Sequence, residues 1–120
     1  MGGHLFVING DLTKVACDAL LIPTDTGLNI EGPWRKFLES RRYSTPESWG
    51  LGNAFLAAAD QAPHVWLGNI GQLNSSSGFT AFAPTVEAFV EGAKAGLEKV
   101  KDADRICGWP KRRLAVNVVG

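Results

Sequence analysis

Cysteine is scarce in this chain: Cys17 and Cys107 are the only two in 120 residues. They lie far apart, in no CxxC spacing and among apolar neighbours, which favours buried free thiols in a reducing cytosol over a disulfide. Net charge is lacking too, since twelve Lys and Arg offset twelve Asp and Glu. The whole-chain charge therefore gives no electrostatic reason to expect DNA, RNA or an anionic membrane as partner. The basic cluster Lys111-Arg112-Arg113 is short and reads as a solvated approach to a strand. No apolar run reaches the roughly 18 residues that a transmembrane helix needs. The N-terminus lacks the basic-then-apolar layout of a secretory signal, so a cytoplasmic setting is expected. The sequon Asn74-Ser75-Ser76 then carries no meaning. Motifs of catalysis are absent as well: there is no GxSxG, no HExxH, no Walker loop and no clustered His/Cys set. His4 and His64 each open an expected strand with no partner nearby in sequence. No cofactor or metal is implied.

What is present is an ordinary globular composition, 45% apolar and 20% charged, of a length that suits one domain over residues 1–120. Residues 4–8 read as a strand bounded by Asn9-Gly10, and residues 11–17 as a short helical turn. Residues 18–22 read as a second strand, whose continuous run Ala19-Leu20-Leu21-Ile22 suggests burial on both faces, as in a parallel or mixed sheet covered by helices, with Pro23 ending its pairing. A helix is expected from Pro33, with Trp34, Phe37 and Leu38 as its buried stripe and Arg35, Lys36, Glu39 and Arg42 facing water. Residues 43–52 are loop, residues 53–60 a short alanine-rich helix, and residues 64–70 a strand with Val65 and Leu67 on one face and Trp66 on the other. Residues 71–78 are loop. The clearest helix runs over residues 84–101, where Val86, Phe89, Val90, Ala93, Leu97 and Val100 follow a period of about 3.6. Residues 102–110 make a turn and residues 114–119 a last strand. Strands alternating with helices predict an α/β domain: a mixed β-sheet flanked by helices. The chain stops at Gly120 directly after an apolar strand, so it is expected to be the front part of a longer domain, incomplete at its C-terminal edge.

Two carboxylates stand where α/β sheets gather ligands, at the carboxyl ends of expected strands. Asp11 follows the first strand: it can cap the turn behind it, or it can accept a hydrogen bond from an exocyclic amine such as that of adenine. Asp25 follows the second strand: it can start a turn, or it can accept hydrogen bonds from a ribose diol. Gly27 and Gly32 would let backbone come close to a phosphate, and the helix from Pro33 would aim its positive end there. Ser75-Ser76-Ser77-Gly78 reads as a surface loop, and Gly50-Leu51-Gly52 does not complete a dinucleotide fingerprint.

Gly10-Asp11-Leu12-Thr13 followed by Asp18-Ala19-Leu20-Leu21 resembles the opening of a macro domain, the ADP-ribose-binding fold. That family reads GDIT, a spacer, DAIVNAAN, then a glycine-rich loop ending GVDGAI. Asn29-Ile30-Glu31-Gly32-Pro33-Trp34 is similar in pattern to that loop's end, and His64-Val65-Trp66-Leu67-Gly68-Asn69-Ile70-Gly71 to a later strand of the form YVIHTVGP. The resemblance covers nearly the whole chain. It implies an adenine contact at Asp11 with Leu12 beside it, and an acceptor near the distal ribose at Asp25. The phosphate loop would run through Gly27, Glu31 and Gly32. The sequence departs from the family where the asparagines of NAAN fall on Ile22 and Asp25, and where Asn29 and Glu31 replace glycines. The family's second phosphate loop would begin just past Gly120. The implied function is a non-catalytic bacterial module that binds ADP-ribose or a related nucleotide. The alternative is a ligand-free scaffold or oligomerisation domain that self-associates through its open C-terminal edge.

Overall fold

In the run Ala19-Leu20-Leu21-Ile22 every side chain is buried, which a strand achieves only when both faces of its sheet are covered. A computed structural model of the chain describes residues 17–30, 32–60, 63–71, 73–74, 78–79, 81–98 and 114–116. In chain order these form β1 (Ala19–Thr24), α1 (Gly32–Glu39), β2 (Ala54–Ala58), β3 (His64–Asn69), β4 (Leu73–Asn74), β5 (Gly78–Phe79), α2 (Phe82–Leu97) and β6 (Leu114–Val116). A mixed four-stranded sheet has the order β2-β3-β1-β6. β3 and β6 run parallel to β1, so that Leu20 lies opposite Val65 and Ala115, while β2 runs antiparallel to β3. The α/β class expected from the sequence is therefore what forms. The expected strand over residues 4–8, the turn holding Asp11 and Leu12, Glu31, Cys107, the turn over residues 102–110 and residues 117–120 lie outside the described residues.

Strand alternation divides the core into two layers. Leu20, Ile22, Val65 and Leu67 point to one face, where Trp34 and Leu38 of α1 pack on them. Ala19, Leu21 and Trp66 point to the other, against Phe89, Ala93 and Leu97 of α2. Each fully buried Leu or Ile contributes about 1.5–3 kcal/mol relative to exposure. In α1 the expected stripe is the buried one, and Phe37 stands edge-on to Trp34 with ring centroids 6.4 Å apart. Cys17 is buried within this layer.

Four expectations are corrected. The alanine-rich segment at residues 54–58 is a strand, β2, and not a helix. Alanine's helix preference is small per residue, and antiparallel pairing of Ala54 with Gly68 and Leu56 with Trp66 outweighs it, despite a register slip between Leu56 and Ala58. Pro23 does not end β1: it pairs in register with Gly68, and Thr24 follows opposite Asn69. The carbonyls of Asp18 and Thr24 accept the N–H groups of His64 and Ile70 at 2.9 and 3.1 Å. Successive residues of a strand turn their backbone groups to alternate sides, so the ring nitrogen of Pro23 points away from β3, where no donor is needed. The segment at residues 71–78 is not all loop, because β4 and β5 pair as a small antiparallel ribbon. Finally, α2 begins at Phe82 and ends at Leu97, its buried line is Thr85, Phe89, Ala93 and Leu97, and Val90 is exposed. The Thr85 hydroxyl donates to the Ala81 carbonyl at 2.7 Å, with the Asn69 carbonyl 2.9 Å away, which lets a polar residue join the buried line of the helix.

Candidate functional site

Two chain segments leave the carboxyl ends of the adjacent parallel strands β1 and β3. The one after β1 leads to α1 on one face of the sheet, and the one after β3 leads to α2 on the opposite face. Such a parting of neighbouring connections is the place, outside the strand ends, where open α/β sheets form a crevice for ligands. Thr24, Asp25, Thr26, Gly27 and Asn29 lie at the end of β1, and Asn69, Ile70 and Gly71 at the end of β3. α2 is tied to the same rim, since the Ala81 N–H donates to the Ile70 carbonyl at 3.1 Å, and no side chain caps its first turn. Gly71 has a φ of 81°, a left-handed turn that glycine makes without a side-chain clash.

The β1–α1 connection is a clasped turn. The Leu28 N–H donates to the Asp25 carbonyl at 3.0 Å. Asp25 Oδ1 accepts the Asn29 N–H at 3.1 Å and Asn29 Nδ2 at 3.1 Å, and Oδ2 accepts Nδ2 at 2.9 Å. The Asn29 side-chain amide and its backbone N–H hold the Asp25 carboxyl below its ordinary value, against a smaller opposing effect of burial. Gly27 leaves room for this clasp, as a Cβ there would lie 3.3 Å from Asn29 Nδ2. Leu28 has a φ of 60°, a strained conformation for a branched side chain, and packs half-buried against the core layer under α1. Thr24 Oγ1 donates to the Asn29 carbonyl at 3.2 Å, and Arg35 Nη2 to the Ile30 carbonyl at 3.1 Å, which brings a guanidinium to the turn just ahead of α1.

Across the crevice stands Asn69. It is 0% exposed, its Nδ2 donates to Thr26 Oγ1 at 3.0 Å, and its Oδ1 has no hydrogen-bond partner among the described residues. The bond between Asn69 and Thr26 thus spans the gap between the two strand ends.

Of the residues singled out from sequence, Asp25 and Gly27 sit in the clasped turn and Gly32 is the first residue of α1. Asp11, Leu12 and Glu31 lie outside the described residues. No protein-family pattern, curated protein or solved structure matches the chain. Among the described residues there is no group of three or more His, Cys, Asp or Glu side chains that could hold a metal ion. No helix of the described residues is long and apolar enough to cross a membrane.

Sequence reasoning passed over Asn69, Thr26 and Arg35. A signal for Asn69 was present: in His64-Val65-Trp66-Leu67-Gly68-Asn69 it follows Val65 and Leu67 at a spacing of two, so a polar residue falls on the buried face of the strand. An open cleft of about 350 Å³ lies between residues 46–49 and the start of β2, walled by Pro46, Trp49 and Phe55 with Glu47, Ser48 and Asn53 among its polar groups. It adjoins the start of β2 and includes none of the residues of the crevice.

Proposed function

We propose that the chain is a non-catalytic module, similar to a macro domain, that binds ADP-ribose or a related nucleotide in the crevice between the carboxyl ends of β1 and β3. The observation that carries this reading is the parting of the β1 and β3 connections to opposite faces, with polar side chains of Thr24, Thr26, Asn29 and Asn69 gathered at that point. The Arg35 guanidinium beside the turn and the first turn of α1 supply positive potential suited to a diphosphate. The sequence resemblance adds Asp11 as the acceptor for the adenine amine. Calorimetric titration of ADP-ribose into the purified chain tests the reading. Heat of binding is expected, with affinity reduced about tenfold or more in Asp11→Ala, the size of a lost hydrogen bond to a charged group. A folded chain that gives no heat would remove the reading.

One observation favours the alternative, a scaffold that keeps the fold without a ligand. Both carboxylate oxygens of Asp25 already accept hydrogen bonds from Asn29, so this side chain would have to exchange partners to take up a ribose diol. Light scattering separates the two: the scaffold reading requires a stable dimer or larger assembly in the absence of nucleotide.

A further inference from the structure

Asn69 is held at its backbone from two sides. Its N–H donates to the Asn53 carbonyl at 2.9 Å, and its carbonyl accepts the Gly52 N–H at 2.9 Å, so the two residues ahead of β2 fix it firmly. Among the described residues its side chain has one tie, to Thr26 Oγ1 at 3.0 Å. A hydroxyl can donate or accept, so turning the amide over would keep that tie and leave the other half unpaired instead. Either way one polar atom of a fully buried amide lacks a partner among the described residues, a costly arrangement that leucine, of like branching though larger, would avoid. The amide stands one side chain below the surface, because its partner Thr26 is exposed. It also stands at the strand-end crevice. The turn covering it is closed on itself through the Asp25–Asn29 contacts, which are exposed, so local opening there is easier than anywhere in the two core layers.

We propose that Asn69 is a ligand-reading residue whose amide oxygen accepts a hydrogen bond from a ribose hydroxyl of the bound nucleotide, with Thr26 holding the amide in the receiving orientation. This rests on the nucleotide reading above and adds to it a residue at the end of β3. The turn over residues 25–29 opens to admit the sugar, and the hydroxyl satisfies an acceptor that the described residues leave unpaired. The arrangement discriminates against a sugar lacking that hydroxyl, because a buried acceptor would then stay without a donor.

The test uses the full chain and ADP-ribose. In Asn69→Leu, the thermal midpoint is expected to hold or rise, as the unpaired amide is gone, while affinity for ADP-ribose falls tenfold or more. A purely structural asparagine would give the opposite pattern, lower stability with unchanged affinity in the folded fraction. If wild type binds and a folded Asn69→Leu binds equally well, the assignment of Asn69 is overturned and the nucleotide reading stands. If wild type does not bind, both fall. Should Asn69→Leu fail to fold, the side-chain amide resonances of Asn69 in the wild-type chain decide: a shift on adding ADP-ribose supports the assignment, and no shift on saturation overturns it. A loss seen with ADP-ribose and not with ADP assigns the hydroxyl to the second ribose; a loss seen with both assigns it to the adenosine ribose.

Discussion

Two glycines of α2 show how far a single hydrogen atom's environment decides a residue's role. A Cβ on Gly92 would lie 2.5 Å from Cη2 of Trp66, a ring already set edge-on to Phe89 with centroids 6.0 Å apart, whereas a Cβ on Gly96 would meet nothing within 4 Å. Gly92→Ala is therefore expected to destabilise the fold by about 1–3 kcal/mol, the usual range for overpacking, even though alanine is the better helix former. Gly96→Ala is expected to stabilise by about 0.5 kcal/mol through the unfolded chain's lost freedom. Urea denaturation of the two variants checks both signs. Neither role was legible in the sequence, because Trp66 and Gly92 meet only once β3 and α2 pack. Asp25 was legible as a residue at a strand's carboxyl end, and the turn it starts is there, but its pairing with Asn29 needed the geometry of the loop. Asn69 broke the apolar phase of its strand, a cue that composition hides and alternation reveals.

Elements with a strong period were readable and elements defined by a distant partner were not. β1 and β3 announce themselves by continuous or alternating apolar residues, and α1 by Trp34 and Leu38 on one side. β2 misleads, since Ala54-Phe55-Leu56-Ala57-Ala58 carries no strand period of its own and becomes a strand only by pairing with β3. In α2, Phe89, Ala93 and Leu97 are buried as their spacing requires, and the helix is turned slightly so that Thr85, not Val90, continues the line. What turns it is the tie between the Thr85 hydroxyl and the carbonyls of Ala81 and Asn69. Thr85→Val keeps the shape and removes the donor. It is expected to cost about 0.5–1.5 kcal/mol, the net worth of one buried hydrogen bond, since the Ala81 and Asn69 carbonyls keep the N–H groups of Thr85 and Gly52, measured as a lower urea midpoint with an unchanged slope.

At the scale of the whole molecule the sheet has two unlike ends. Its carboxyl end gathers mostly uncharged polar groups around Asn69, while its amino end gathers Asp18, Arg41, Asp60 and His64. Arg41 Nη2 bridges Asp60 at 2.8 Å. The N–H of His64 donates to the Asp18 carbonyl. Such clustering is invisible in a balanced total charge, because these four residues are scattered along the chain. Burial, and then the nearby Arg41 charge, hold the His64 imidazole below its ordinary value of 6.5, with Asp18 and Asp60 opposing more weakly. The unfolded chain therefore binds the proton more readily, so this residue's contribution is fully present above 6.5 and is lost as pH falls through its folded value. Denaturation midpoints measured from about pH 7.5 down to about pH 5 are expected to fall, and to fall less in His64→Gln. Asp25, also held low, contributes in full above its ordinary value of 3.8 and loses that contribution only as pH falls through its lower folded value, so it stays constant over that range.

Pro23 gives the molecule a built-in zip stop. Leu21 still pairs with Val116 on the β6 side of β1, but two residues on, β1 presents a ring where a hydrogen-bond donor would be. A strand running along that flank finds no donor on β1 at this height. The missing donor falls at the same rim where the connections from β1 and β3 part company.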